Sequence, residues 1–382
     1  MCENFTEHQR LLNMQNLKQS HFKTIDNLKF ILAIAVVFIH CRIPTADSLI
    51  MNSSFSLSCL VEKLFSEVLP SVAVPSFYII SGFLFFYSLQ NWKTNTYIHK
   101  LQRRISTLIV PYLLWNIIPI LLILLRVIGG SIIAQQEISS SAIISVLTDN
   151  FSYHTFWDIH RDDHMFLPMN MPLWFLRELI LLVFVSPLIY IFIRYTKNIG
   201  IILFVILYLS GVSVPYIRSQ FFFALVFYTL GSWTAFNLRY EKLFVGIRNY
   251  SWVLHVFSVI CVVLATFSLL SSGTLIEPIL RVFRFVGSAS LFFIVYFIVD
   301  KFDFSFNDRL LKSTFFIYAA HMGLSYRDFV RNVIFCHCPE GGDFMICVKY
   351  FLVPVIVILL CVTTYALLSY ISPKFTKILC GR

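Results

Sequence analysis

The sequence predicts an all-α protein: a polytopic bundle of about ten transmembrane helices with both termini in the cytoplasm. Three observations carry this. Hydrophobic residues make up 58% of the chain and charged residues only 13%, whereas a soluble chain carries about 25% charged residues. Apolar runs recur along the chain at lengths close to the ~20 residues that cross a bilayer. Lys and Arg also distribute unequally between the two sides those runs define. This composition excludes a disordered chain, a fibre, a disulfide-stapled miniprotein and a single soluble globule.

Ten runs qualify, at roughly 27–44, 70–90, 107–128, 172–193, 199–216, 219–237, 250–271, 285–299, 313–326 and 350–371. The eighth and ninth are short for a full crossing, and tilt or local thinning of the bilayer accommodates them. Residues 1–26 are polar and read as a cytoplasmic tail with no cleavable signal peptide. Residues 27–372 form the membrane domain and 373–382 a second cytoplasmic tail. With the N-terminus inside, 19 of the 30 Lys and Arg face the cytoplasm, ten face outward and Arg177 lies within a span. Positive residues favour the cytoplasmic side. The formal charge of +10 is therefore an orientation signal, and nucleic acid is not needed to explain it.

The first span runs from Asp26 through Lys29 to His40. Lys29 and His40 are eleven residues apart, about 16 Å and close to three helical turns, so they share a face at different depths. An ionisable group inside a bilayer costs at least ~2.5–3.5 kcal/mol on insertion scales and needs a reason. His40 is either a general base facing a cavity or a histidine bonded to a neighbouring helix. In the second span, Gly82 permits close helix approach and Ser81 can bond across helices. Lys100, Arg103 and Arg104 precede the third span at its cytoplasmic mouth, as phosphate ligands or as a topology anchor.

The fourth span opens Pro172-Leu173-Trp174-Phe175-Leu176 and continues into Arg177 and Glu178. Sequence neighbours on a helix point about 100° apart, so this pair is not expected to bond simply, and at least one member faces a polar interior. His321, in the short ninth run, is intramembrane or close to the outer interface. The long outer loop at 129–171 carries Tyr153-His154 and the cluster Asp158 to His164, read as solvated. Cys336, Cys338 and Cys347 share one outer loop; their spacing fits zinc poorly, a disulfide is the better reading, and no metal site is expected.

Taken together, these segments resemble the acyltransferase type 3 family of bacterial integral membrane proteins over about residues 24–372. The resemblance rests on Ile25 to Ile31 leading to His40, on Ser71 to Phe83, and on Arg103-Arg104-Ile105 followed by Pro111-Tyr112 and Trp115. Pro172 to Leu176 and Phe316 to His321 add to it. It implies ten core helices and transfer of an acyl group, most often acetyl, from acyl-CoA to carbohydrate at the cell membrane. By that resemblance, His40 closes an arginine-x10-histidine motif in which Lys29 takes the arginine position. The arginine-x-x-arginine motif maps to Lys100 and Arg103.

The expected enzyme is then an O-acyltransferase with acyl-CoA as donor substrate, no bound cofactor, and a surface carbohydrate or related extracytoplasmic acceptor. His40 is the expected base, and Arg177 or Ser81 the expected oxyanion donor. Lys29, Lys100, Arg103 and Arg104 would hold the CoA phosphates, and Asp26, Trp174, Glu178 and His321 complete the binding set. The alternative is a transporter or flippase whose pathway His40, Arg177, Glu178 and His321 line. A third reading is a non-catalytic relative in which Lys29 marks lost activity.

Overall fold

The computed structural model describes residues 2–43, 56–87, 89, 94–137, 139–150, 168–212, 219–236, 240–270, 275–339 and 341–382, with the side chains of 2–18, 150, 240–243, 245 and 270 excepted. The Asp158–His164 cluster and Tyr153-His154 lie outside the described residues. Among those described, the chain is helical and forms no strand. In order, the helices are α1 (Cys2–His40), α2 (Leu57–Glu62), α3 (Ala73–Tyr87), α4 (Thr94–Arg104), α5 (Val110–Ile133), α6 (Ser140–Asn150), α7 (Trp174–Ser210), α8 (Ser219–Phe236), α9 (Tyr240–Asn249), α10 (Ser251–Leu270), α11 (Ile276–Phe302), α12 (Asp308–Gly323), α13 (Tyr326–His337), α14 (Asp343–Ile371) and α15 (Pro373–Leu379).

Six stretches are long and apolar enough to cross a membrane: Leu57–Tyr87, Thr94–Ile133, Met171–Ser210, Ser251–Leu269, Ile276–Phe302 and Asp343–Ile371. Their outer faces show why a bilayer is required. On α10, Val256, Val259, Val263 and Phe267 all stand exposed, as do Val355, Leu359 and Leu367 on α14. Such a surface is stable only against lipid. The bundle is a multi-pass membrane protein.

The fourth and fifth predicted runs fall in one stretch, α7, which is broken at Lys197 by a left-handed residue (φ 52°, ψ −130°). The rings of Phe192 and Phe204 stack with centroids 4.5 Å apart. Twelve residues of straight helix would separate them by about 18 Å, so the chain doubles back at Lys197. Trp233 on α8 donates its indole N–H to Asn198 just past that turn (3.1 Å).

Close approach of α3 and α8 holds the centre. A Cβ on Gly82 would lie 2.1 Å from the Tyr228 carbonyl oxygen, and one on Gly231 would lie 2.0 Å from that of Ile79. Each glycine therefore seats the other helix's backbone, the small-residue packing expected of Gly82.

Three expectations need correction. The first span was expected to run to residue 44, but α1 ends at His40, and Cys41–Ile43 leave the helix ahead of Pro44, which disfavours a helical residue before it. The eighth run is not short: α11 starts nine residues earlier than the expected 285 because its charged first turns face a cavity rather than lipid. Cys336, Cys338 and Cys347 are free thiols, the first exposed at the end of α13 and the last buried in the first turns of α14.

Candidate functional site

At the C-terminal end of α1, the chain turns out of the helix with its backbone held from several sides. Ser66 donates its hydroxyl to the Phe38 carbonyl (2.8 Å), and the Ile43 amide donates to Glu62 (3.3 Å). His40 is the last helical residue. Its ring lies 5.3 Å, centroid to centroid, from that of His321 on α12, at an interplanar angle of 33°.

His321 is wholly buried within the protein. Its Nδ1 lies 3.1 Å from the Ile317 carbonyl. A carbonyl only accepts, so Nδ1 carries the proton and Nε2 of the neutral ring is left as an acceptor. Nε2 has no hydrogen-bond partner among the described residues. Around it, Asn170 donates to the Ala319 carbonyl (2.9 Å), Tyr318 donates to the Pro172 carbonyl, and the Asn170 amide donates to Asn116 (3.1 Å). These bonds fix the start of α7 against α12 and α5.

His40 lines a cavity of about 680 Å³. The walls are Pro70, Ser71 and Val74 ahead of and within α3, Met171 and Trp174 at the start of α7, Tyr208 and Gly211 at its end, Phe222 and Phe223 of α8, and Glu277, Arg281 and Arg284 of α11. Arg284 donates to the Tyr208 hydroxyl (3.0 Å) and to Glu277 (3.3 Å). Arg42 and Arg327 lie within electrostatic reach of His40 from outside the cavity.

The remaining predicted residues fall elsewhere. Arg177 and Glu178 are buried and bonded to each other: Nε and Nη2 of Arg177 lie 3.2 and 3.0 Å from one carboxylate oxygen, Oε1. The expectation that they would not pair is wrong. A long guanidinium stem spans the 100° between them, and leaving either charge buried alone would cost several kcal/mol. Neither Arg177 nor Ser81 lines the His40 cavity, and Ser81 sits two turns along α3 from Val74.

The predicted phosphate ligands gather only in part. Lys29 is bonded to Asp26 on its own helix (2.7 Å). Lys100 donates to the Phe85 carbonyl (2.6 Å) and stands over the Phe85 ring at 5.0 Å, where Arg104 joins it at 5.9 Å. Arg103 is exposed. The helix thus presents Lys100 with Arg104, spaced i and i+4, rather than with Arg103.

Arg281 and Arg284 were counted in the sequence only among the ten outward-facing cations, and Glu277 was not singled out. Their spacing at i, i+4 and i+7 puts them on one helical face, and that was the available signal. No group of three or more His, Cys, Asp or Glu that could hold a metal occurs among the described residues.

The family model described as an acyltransferase domain matches residues 22–375, nearly the whole chain, and the protein belongs to that family. No curated protein and no solved structure matches it. Membership, with the apolar helices, makes it a multi-pass membrane protein of an acyltransferase family.

Proposed function

We propose that the protein transfers an acyl group, acetyl in the first instance, from acyl-CoA to a hydroxyl of an extracytoplasmic carbohydrate, with ten crossings and both termini on the cytoplasmic side. The observation that carries the reading is His40 lining a 680 Å³ cavity with buried His321 at its back. His40 accepts the proton of the acceptor hydroxyl as that oxygen attacks the thioester carbonyl. The tetrahedral intermediate then collapses with loss of the CoA thiolate, which takes the proton from the His40 imidazolium. General-base help of this kind is worth ~10²–10⁴-fold. His321 fixes the ring beside it and offers Nε2 as a second acceptor.

The donor reaches this point from the opposite end. A second cavity, of about 320 Å³ and almost wholly apolar, lies between the same helices α1, α3, α8 and α11, with His21, Ile80, Trp233 and Phe292 among its walls. Phe285 lines it and packs on Tyr208 of the upper cavity at 5.4 Å and on Phe227 at 4.6 Å. One aromatic layer therefore separates the two spaces. Rotation of those rings lets an acyl-bearing arm pass while Lys100 and Arg104 hold phosphate outside it.

The test is transfer from radiolabelled acetyl-CoA by purified protein in nanodiscs, wild type against His40→Ala, following free CoA and label in host membrane glycans. His40-dependent release with label in glycan is the expected result. A folded His40→Ala protein that transfers at the wild-type rate eliminates the mechanism.

A further inference from the structure

The cavity holding His40 carries a charge arrangement that acyl transfer to a neutral hydroxyl does not require. Two arginines of α11, Arg281 and Arg284, face into it, and among the described residues Glu277 is the only carboxylate in its walls. Glu277 is committed to Arg284, which also holds the Tyr208 hydroxyl and lies over the Phe223 ring at 5.7 Å. Arg281 makes no hydrogen bond or ion pair with any described residue. Its guanidinium instead rests on Gly211, where a Cβ would come within 1.7 Å of Nη1. Gly211 is left-handed at φ 73°, so the end of α7 is shaped both to turn the chain and to leave room for that guanidinium.

A guanidinium inside a cavity of a membrane bundle, with no counter-charge bonded to it among the described residues, calls for an anionic partner. On the proposed orientation it also lies on the side that positive residues avoid, so topology does not account for it. The planar fork of arginine suits a carboxylate or phosphate, which it holds bidentately.

Resting on the acyltransferase reading above, we propose that Arg281, with Arg284 beside it, forms an anion subsite of the His40 cavity, so that the acceptor is a glycan or sugar derivative bearing a carboxylate or phosphate group. The anion anchors at α11 while a hydroxyl elsewhere on the same molecule is presented to His40. Glu277 sets the strength of the subsite by withdrawing Arg284 from it.

The experiment is equilibrium binding to protein in nanodiscs, followed by saturation-transfer NMR, with methyl β-glucuronide and glucose 6-phosphate as anionic probes and methyl β-glucoside as the neutral one. Wild type is expected to bind at least one anionic probe about tenfold more tightly than the glucoside. Arg281→Gln should remove that preference, and Glu277→Gln should increase it by releasing Arg284. A gain of binding has no explanation in misfolding. Equal binding of charged and neutral probes by wild type, or a preference unchanged in both variants, overturns the proposal. Acetyl transfer measured on the same preparations separates the two readings. A charge preference with no transfer to any acceptor leaves the subsite and sinks the enzyme reading; transfer indifferent to charge does the reverse.

Discussion

His40 and His321 stand 281 residues apart in the chain, yet their rings meet at 5.3 Å beside the main cavity. One lines the cavity, and the other is sealed behind it with Nδ1 committed to a carbonyl and Nε2 left open. Removing them should therefore have different consequences. His40→Ala is expected to lower kcat by about 10²–10⁴ with the fold intact, since it deletes the base itself. His321→Phe keeps the volume but loses Nε2, and should lower kcat with KM for either substrate nearly unchanged. Steady-state kinetics on both variants checks this; a KM effect without a kcat effect for His321→Phe would show it to be packing alone.

The contact between α3 and α8 makes a prediction about stability that is independent of chemistry. At Gly82 and Gly231 the space a methyl group needs is occupied by backbone carbonyls of the facing helix, which cannot rotate away. Gly231→Ala should cost about 1–3 kcal/mol by forcing the helices apart. Gly129→Ala on α5 meets nothing within 4 Å, and should be neutral or slightly stabilising because alanine is the better helix former. Thermal unfolding in one detergent compares the two directly.

Much of this bundle was legible in the sequence because apolar runs report helices whatever they pack against. All ten expected runs contain helix, and the gap between the fourth and fifth coincides with the reversal at Lys197. The failures have different physical causes. Glu277, Arg281 and Arg284 are charged, so a hydropathy reading assigned them to a loop, whereas the folded helix turns them into a cavity. The Arg177–Glu178 bond was missed because backbone geometry alone ignores the reach of a long side chain. The meeting of His40 with His321 is a tertiary fact, and no local pattern in either segment encodes it.

At the end proposed for the donor, Lys100 and Arg104 converge on Phe85, and together they suit the phosphate of the proposed donor. Lys100→Ala should raise KM for acetyl-CoA by about tenfold or more, the worth of one charged hydrogen bond, with a smaller effect on kcat. Arg103→Ala, at an exposed position, should change it by much less. Titration of acetyl-CoA against Arg103→Ala and Arg104→Ala decides which arginine is the partner of Lys100.

The link between α1 and the end of α11 should respond to acid. Lys23 bonds both the Asp303 carboxylate (2.5 Å) and its carbonyl (2.9 Å), and the ammonium holds the Asp303 carboxyl below its ordinary range. Because the folded pKa is depressed, the contribution is present above the unfolded value of about 3.9 and is lost as pH falls through the folded one. Asp303→Asn keeps a side chain tolerant of the left-handed backbone there (φ 49°) but removes the charge. Its melting temperature should lie below that of wild type at pH 7, and the gap should start to close as pH falls below the unfolded value and vanish below the depressed folded one. A gap that does not narrow at all as the pH falls below the unfolded value would assign the difference to backbone preference instead.

The buried Arg177–Glu178 pair gives the sharpest test of how charge is carried inside this bundle. Both side chains are almost completely excluded from solvent, at 1% and 0% exposure, and two of the arginine's contacts fall on one oxygen. Arg177→Met takes from the Glu178 carboxylate the guanidinium bonded to it and should cost about 3–5 kcal/mol, as should Glu178→Leu for the guanidinium. Replacing both removes both desolvation penalties and should recover most of that stability, so the double variant is expected to be more stable than either single one. Unfolding of the four proteins completes the cycle. If the double variant loses the sum of the two single losses, the pair is not a coupled unit and each residue is anchored by other neighbours. If it recovers stability but loses acyl transfer, the pair is held for function, and its place one turn beyond Trp174 of the cavity wall is how it acts.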